Sequence, residues 1–260
     1  GFLGSFCMLV LVLAIGQEAK GATRWLYLPG FSIQPSELMK PFFVVVTAWV
    51  LTLRHTRERF PGFVLAFILL AMVVGLLIAQ PAMGMSLAYA FTWGVMMFIS
   101  GLSLLFILAL VVMGVGGITA GYFFLPHVKR RIDLFFDPST GDNFQVTKSL
   151  NAFSNGGILG VGPGEGVVKE NLPDAHTDFI FAVFAEEFGF IGSMMLLLFL
   201  TVYATVAVIV ALKARSPVHR LIAIGCMVLL VGQAMINIGV ASGALPTTGL
   251  PFPMMSYGGS

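Results

Sequence analysis

The chain has 260 residues, of which 58% are hydrophobic and only 10% are charged, and its formal net charge is +2. Soluble domains carry roughly a quarter charged residues, so this composition excludes a water-facing surface over most of the chain. The small net charge and the lack of a basic run interleaved with aromatic residues exclude nucleic acid as a partner. Cys7 and Cys226 lie inside apolar runs, where a thiol behaves as a small hydrophobic group, so we expect no disulfide.

Seven apolar runs predict membrane spans, since a bilayer crossing needs about 20 mainly apolar residues. The first of these runs is cut short by the start of the sequence. In chain order the spans cover residues 1–15, 38–53, 62–79, 83–100, 102–125, 191–212 and 221–240. The sequence therefore predicts an all-α fold, a polytopic transmembrane helical bundle that forms one membrane domain over 1–260. Because the chain opens inside an apolar run without an initiator Met, we expect an internal segment of a longer protein.

Two short basic loops give the orientation, because cytoplasmic loops are enriched in Lys and Arg. They lie between the second and third spans and between the sixth and seventh, and their basic residues are Arg54, Arg57, Arg59, Lys213, Arg215 and Arg220. Alternation then places a large loop, 126–190, outside the cytoplasm. Its Lys129, Arg130 and Arg131 do not contradict this, since long loops translocate largely regardless of charge. They are either a site for an anionic headgroup or a solvated helix anchor.

The start of the second span combines capping residues with a cation. Ser36 and Glu37 carry side-chain oxygens that can satisfy the first N–H groups of a helix. Lys40 follows one turn later, where a cation entering the hydrocarbon region needs a partner or a role. Glu37, three residues away, is its expected partner.

The second half of the large outer loop is rich in glycine and leads into a long apolar run. Six glycines lie within 156–166, where backbone N–H groups could approach a phosphate or the loop could simply be flexible. From 178 to 212 one helix would be about 50 Å long at 1.5 Å per residue, against a hydrocarbon core of about 30 Å. We therefore expect a break near Gly189 or Gly192.

Asp178 stands immediately before that apolar run. It is either a helix cap, as is Thr177, or a carboxylate at the boundary between water and lipid, where it could act on a lipid headgroup; the two roles can coexist. After the last span, three prolines within 245–253 forbid a regular helix, which predicts a re-entrant segment that borders a pocket.

Taken together, these motifs resemble the SEDS family (FtsW/RodA/SpoVE). The resemblance is carried, in order, by Gln34-Pro35-Ser36-Glu37, the glycine loop 154–166, Leu172-Pro173-Asp174-Ala175-His176-Thr177-Asp178-Phe179, Glu186-Glu187 with Gly189, and Pro251-Phe252 leading to Ser256-Tyr257-Gly258-Gly259-Ser260. Each motif alone is weak, but their joint order is specific. Asp142-Asn143-Phe144-Gln145 and Arg131-Ile132-Asp133 are more similar to the FtsW branch than to RodA.

The resemblance implies about ten helices, of which this sequence lacks the first two and the last, and a peptidoglycan glycosyltransferase of the bacterial cytoplasmic membrane. Its members polymerise lipid II on the outer side of that membrane. They work with a class B penicillin-binding protein, which makes the cross-links, and with other divisome proteins. The family's essential aspartate matches Asp178. Two positions depart from the family pattern, since Ala82 stands where an aspartate is usual and Thr248 where FtsW proteins often have lysine.

The reaction implied for the family releases a diphosphate, whose developing charge needs cations or a metal nearby. The candidate cations are Lys40, Arg24, Arg130, Arg131, Lys148 and Lys169. Other residues expected to bind substrate are Glu37, His176, Thr177, Glu187 and Ser256. No metal ligands are assigned, and a divalent cation is left open.

Two other functions share many of these features. A flippase for the lipid-linked precursor would also have many spans, an intramembrane Lys and a broken helix. A non-catalytic scaffold for the penicillin-binding protein would tolerate loss of Asp178. Polymer formation from supplied lipid II separates the enzyme from both.

Overall fold

The computed structural model describes residues 1–15, 17–19, 22–28, 31–56, 60–124, 128–129, 132–133, 144–168, 172 and 178–256. Long helices dominate the described part of the chain. They are α1 Phe2–Ile15, α2 Pro35–Thr56, α3 Gly62–Ala79, α4 Met83–Ile99, α5 Leu104–Phe124, α6 Phe144–Gly156, α7 Ile180–Lys213 and α8 Pro217–Ala241.

Five stretches within these helices are long and apolar enough to cross a membrane. They are Pro35–Arg54, Gly62–Ala79, Leu104–Phe124, Ile180–Lys213 and Pro217–Ala241, and α1 and α4 are shorter apolar helices. The helical, polytopic fold class that the composition predicts is therefore confirmed. The assignment of loops to the two sides of the membrane and of 1–260 to one membrane domain stays a prediction.

A small antiparallel sheet lies between α1 and α2, which the sequence analysis did not predict. Its strands are β1 Gln17–Ala19, β2 Ala22–Leu28 and β3 Phe31–Ile33, in the order β1-β2-β3. The strands of three to seven residues are too short and too irregular in pattern to stand out from a polar connection.

The chain divides into two compact units, of which the first comprises Gly1–Gly101, Leu200–Gln233 and Pro253–Ser260. Here α1 packs on α2, α2 on α3 and α3 on α4. Buried polar side chains add specific links, since Gln80 donates to the main-chain oxygen of Leu9 (2.8 Å) and Trp93 to that of Ala66 (2.9 Å). Such bonds matter because a buried polar group without a partner is costly.

The second unit comprises Leu102–Phe199 and Ala234–Phe252. A row of aromatic rings forms part of its core, with Phe181 5.7 Å from Phe153 and 6.2 Å from Phe252 between ring centroids. The row connects α6, α7 and the proline-rich segment after α8. Phe181 and Phe252 are buried, so this core fixes the residues that follow Asp178.

Two glycines shape the second unit because they adopt left-handed backbone conformations. Gly189, with φ 67°, interrupts α7 and confirms the break predicted near this residue. Gly243, with φ 73°, ends α8, where the N–H of Gly243 bonds to Val240 and that of Ala244 to Gly239. This pair of bonds is a Schellman motif, which requires a residue that tolerates positive φ.

Candidate functional site

Asp178 lies in a turn directly before α7 and is half-buried. The main-chain oxygen of Phe179 accepts the N–H groups of Ala182 (2.9 Å) and Val183 (3.3 Å), so Phe179 holds the cap position. This corrects the capping interpretation of Asp178, which lies one residue earlier. Phe179 is buried and Asp178 is half-buried, so the turn anchors the Phe179 side chain in the core while the Asp178 residue stays partly exposed.

The main chain of Asp178 is held by a residue that the sequence analysis did not select. The side-chain amide nitrogen of Asn237, on α8, donates to the oxygen of Asp178 (2.9 Å) and to that of Leu250 (2.8 Å). Asn237 is 1% exposed, and its Oδ1 has no hydrogen-bond partner in the described part of the chain. A buried acceptor without a partner costs about 1–3 kcal/mol, so this position carries a constraint beyond packing.

The glycine-rich loop after α6 docks against the break in α7. The N–H groups of Val161 and Gly162 donate to the main-chain oxygens of Glu186 (3.0 Å) and Glu187 (3.1 Å). In return, the N–H groups of Phe190 and Ile191 donate to the oxygens of 157 (2.9 Å) and 158 (3.1 Å). The loop is thus an ordered support for α7. Its bonded N–H groups are committed to protein acceptors, which argues against the phosphate cradle considered above.

Glu186 anchors the far end of the same loop. Its carboxylate, on a residue that is 1% exposed, accepts the N–H of Val168 (3.1 Å) and lies 3.4 Å from the amide nitrogen of Asn155. Gly166 lies against this carboxylate, where a side chain would collide with it. Glu186 therefore fixes the loop before it continues toward Asp178.

A buried charged cluster lies in the first unit. The Nζ of Lys40 is 2.6 Å from Glu37 Oε1 and 2.6 Å from Gln233 Oε1. This confirms the predicted pairing of Lys40 with Glu37 and adds a partner from α8. The side chains of Lys40 and Glu37 are 3% and 8% exposed, so the cation is neutralised inside the protein.

The start of α2 differs slightly from the prediction. The helix begins at Pro35, and the oxygen of Gln34 accepts the N–H of Glu37 (3.0 Å), so Ser36 lies inside the first turn rather than at its cap. Proline suits the first helical position because its missing N–H would have had no partner there. The main-chain oxygen of Ser36 accepts a hydrogen bond from the hydroxyl of Tyr89 (2.7 Å), and this bond links α4 to the first turn of α2.

The remaining predicted site residues fall into two groups. Lys148 on α6 and Glu187 on α7 are half-buried, and Ser256 is buried. Arg24 lies on β2, where only the backbone is described. The remaining residues lie outside the described part of the chain: Arg130, Arg131, Lys169, His176 and Thr177.

Gln233 and Asn237 are the functional candidates that the sequence analysis missed. Both are polar residues inside the predicted span 221–240, and a polar side chain inside the membrane is costly and usually has a partner or a role. That signal could have selected them, but not their partners. In the described residues, no three His, Cys, Asp or Glu side chains form a group that could hold a metal ion.

Comparison with known proteins gives a consistent result. The family model FTSW_RODA_SPOVE, described as "Cell cycle protein", matches residues 1–260. The chain is 38% identical over 259 residues to a protein of Caulobacter vibrioides and 39% identical over 267 residues to one of Synechocystis, both named "Probable peptidoglycan glycosyltransferase FtsW". The alignments cover 100% and 98% of this chain but 66% and 67% of those proteins. The chain thus spans about two thirds of their length.

Solved structures agree. A chain of a peptidoglycan synthase complex, described as coordinating polymerization and crosslinking, matches with a TM-score of 0.81 and 32% identity over 100% of this chain and 74% of that one. The rod shape determining protein RodA of Thermus thermophilus matches with a TM-score of 0.68 and 30% identity over 100% of this chain and 70% of that protein.

Proposed function

Because the chain belongs to the FtsW/RodA/SpoVE family of cell cycle proteins, we propose that it forms the catalytic part of a lipid II polymerase of cell division. Such a peptidoglycan glycosyltransferase joins disaccharide-pentapeptide units carried on undecaprenyl diphosphate. The names of the curated relatives and the likeness to a chain of a peptidoglycan synthase complex support this activity.

The observation that carries the proposal is the position of Asp178. Its residue is half-buried in a turn, next to a core residue and bonded through its main chain, so a carboxylate is held at a defined place near the surface. A carboxylate placed in this way suits the general base of a glycosyl transfer.

In the proposed step, Asp178 takes the proton of the 4-hydroxyl of the acceptor sugar. The hydroxyl oxygen forms a bond to the anomeric carbon of the donor, and the bond from that carbon to the diphosphate breaks, with its electron pair leaving on the diphosphate. A glycosidase needs a second carboxyl group to protonate a poor leaving group, whereas a diphosphate leaves without one. A single carboxylate is therefore sufficient.

The charge that develops on the diphosphate needs compensation, and Lys40 is already neutralised by Glu37. The other cations proposed for this task are Arg24, Arg130, Arg131, Lys148 and Lys169, or a divalent metal. Lys40 stays in the proposed binding set. Glu37, His176, Thr177, Glu187 and Ser256 are proposed to bind the rest of the substrate.

The chain is a multi-pass membrane protein, and we place it in the bacterial cytoplasmic membrane with the loop 126–190 and Asp178 on the outer side. Its proposed partner is a class B penicillin-binding protein within the divisome. The likeness to a chain of a complex that coordinates polymerization and crosslinking supports such a partner.

Glycan-strand synthesis by the purified full-length protein with its partner tests the proposal. Asp178→Ala should lower the rate at least about 100-fold, since a positioned base contributes 10²–10⁴-fold, and should leave the melting temperature unchanged. Glu165→Gln, a change at an exposed carboxylate of the same outer loop, should stay within about twofold of the wild type because that residue lies on the surface.

Three outcomes would contradict the proposal. Wild-type rates from Asp178→Ala would reject this residue as the base. A wild-type protein that moves lipid II across vesicles without making polymer would be a flippase. A wild-type protein that makes no polymer but co-purifies with the penicillin-binding protein would be a scaffold.

A further inference from the structure

We propose that Asn237 is a positioning residue for the proposed reaction, holding Asp178 in its reactive place through the main-chain carbonyl of that residue. This inference rests on the function proposed above for Asp178. It assigns a role to a side chain that neither the sequence motifs nor the chemistry of the transfer step points to.

The geometry determines how the Asn237 amide is oriented. Two carbonyl oxygens, those of Asp178 and Leu250, lie 2.9 Å and 2.8 Å from Nδ2. Carbonyl oxygens only accept, and an amide NH₂ has two hydrogens, so each hydrogen serves one carbonyl. The nitrogen must therefore face both oxygens, and the donor capacity of Asn237 is fully used.

The two carbonyls belong to segments that are not joined to each other by a helix or a sheet. Asp178 lies in a turn before α7, and Leu250 lies in the irregular proline-rich segment after α8. They are 59 and 13 residues from Asn237 in sequence. One side chain on α8 thus joins two segments that are far apart in sequence.

The surroundings make this link rigid. Phe179 and Leu250 are each 1% exposed, so the residue after Asp178 and the second bonded residue are both packed in the core of the second unit. Releasing the Asp178 carbonyl would let the turn shift while Phe179 stays anchored. A displacement of about 1 Å at a catalytic group can cost 10²-fold in rate.

The side-chain oxygen of Asn237 gains no hydrogen bond at this position. Oδ1 is buried and has no partner among the described residues. Buried polar atoms are normally hydrogen-bonded, and an apolar residue of similar size would avoid this orphan acceptor. The position therefore requires the two N–H groups.

The test compares Asn237→Leu and Asn237→Asp in the full-length protein with its partner. Both substitutions keep the approximate side-chain volume. Leu removes both donors that face the carbonyls, and Asp keeps at most one, the O–H of a protonated carboxyl. We expect kcat for glycan synthesis to fall about 10- to 100-fold while KM stays within about threefold, because a displaced base affects the chemical step rather than binding. Asn151→Leu, at an exposed amide on α6 in the same unit, should keep kcat within about threefold.

The folded fraction separates positioning from general damage. Damage to the fold alone would lower kcat only in proportion to the loss of folded, partner-bound protein, which size-exclusion chromatography and a melting curve measure. A displaced base instead lowers kcat in protein that is fully folded, while KM is kept.

Two outcomes overturn the inference and leave the function of Asp178 intact. One is a wild-type kcat for Asn237→Leu when Asp178→Ala is inactive. The other is a loss of kcat that matches the loss of folded, partner-bound protein. If Asn237→Leu fails to fold, Asn237→Ala, which also removes both donors, replaces it: a folded protein with lowered kcat supports the inference, and full kcat rejects it. Wild-type rates from Asp178→Ala would instead reject the proposed function.

Discussion

The polar residues around Lys40 and those around Asp178 are held by different kinds of contact. Lys40, Glu37 and Gln233 bond to one another through their side chains, and a buried cation is neutralised in the process. Asp178 is held by its main-chain carbonyl, so that bond fixes the residue without involving its carboxylate. The first arrangement compensates two buried charges, each of which would be costly without the other. The second fixes a position, which is what a reactive group requires.

The largest effect should follow from breaking the Lys40 pair. Lys40→Met leaves Glu37 buried without its cation, and removing one partner of a buried ion pair costs about 3–5 kcal/mol of unfolding free energy. The double variant Lys40→Met/Glu37→Gln removes both charges and should recover most of that loss. Denaturant unfolding in detergent micelles measures both.

Either of two results would contradict this difference between Lys40 and Asp178. One is equal destabilisation by the single and double variants, which would mean that charge compensation is not what Lys40 supplies. The other is an Asp178→Ala variant that is destabilised as much as Lys40→Met, which would give Asp178 a structural role.

A smaller effect should follow from disturbing the loop that supports α7. Gly160 has φ +82°, and a Cβ there would overlap the main-chain oxygen of Glu187. Gly157, in the same loop, has φ +52° with open space around its Cβ position, so it provides a matched control. Gly157→Ala should cost about 1–2 kcal/mol for the left-handed backbone alone. Gly160→Ala should cost about 1–3 kcal/mol more through overpacking.

Melting curves of the two variants, together with hydrogen exchange over 157–168, decide the question. Equal losses would show that the loop is not packed tightly against α7 and does not support the helix that follows Asp178.

Some of this arrangement could be predicted from the sequence because it is local. Glu37 and Lys40 are three residues apart on one helix, and the break at Gly189 follows from a run too long for one straight crossing. Helix starts are harder to predict. The cap candidate Ser36 lies two residues after Gln34, which caps α2, and Asp178 lies one residue before Phe179, which caps α7. The order of the motifs identified the family, because several weak patterns in one order are specific together.

The partners supplied by α8 could not be predicted in the same way. Gln233 contacts a residue 193 positions away, and Asn237 one 59 positions away. Such contacts depend on how helices pack, and periodicity gives only the face of a helix, not its neighbour. The two polar residues in an apolar span were visible in the sequence, but the carbonyls they bind were not.

The smallest effect concerns the main-chain anchor of the first unit. The hydroxyl of Tyr89 donates to the Ser36 oxygen at 2.7 Å, while its ring packs edge-on against Phe43 with centroids 5.1 Å apart. Tyr89→Phe keeps the ring contact and removes only the hydrogen bond, so it should cost about 0.5–1.5 kcal/mol of unfolding free energy. The control is Tyr203→Phe, for whose hydroxyl the described residues provide no hydrogen-bond partner, and it should leave stability unchanged.

The change in unfolding free energy of Tyr89→Phe bears on the main-chain anchors at both Ser36 and Asp178. Ser36 and Asp178 each have a carbonyl at a helix start that accepts a buried side-chain donor from another helix. A measurable loss in Tyr89→Phe, with full polymerisation activity, would show that such an anchor stabilises the first unit without controlling the reaction. The same kind of bond at Asp178 should then affect kcat, because only there does the anchored residue carry the proposed base. If Tyr89→Phe lowered kcat as strongly as Asn237→Leu, the distinction between a structural and a positioning anchor would not hold.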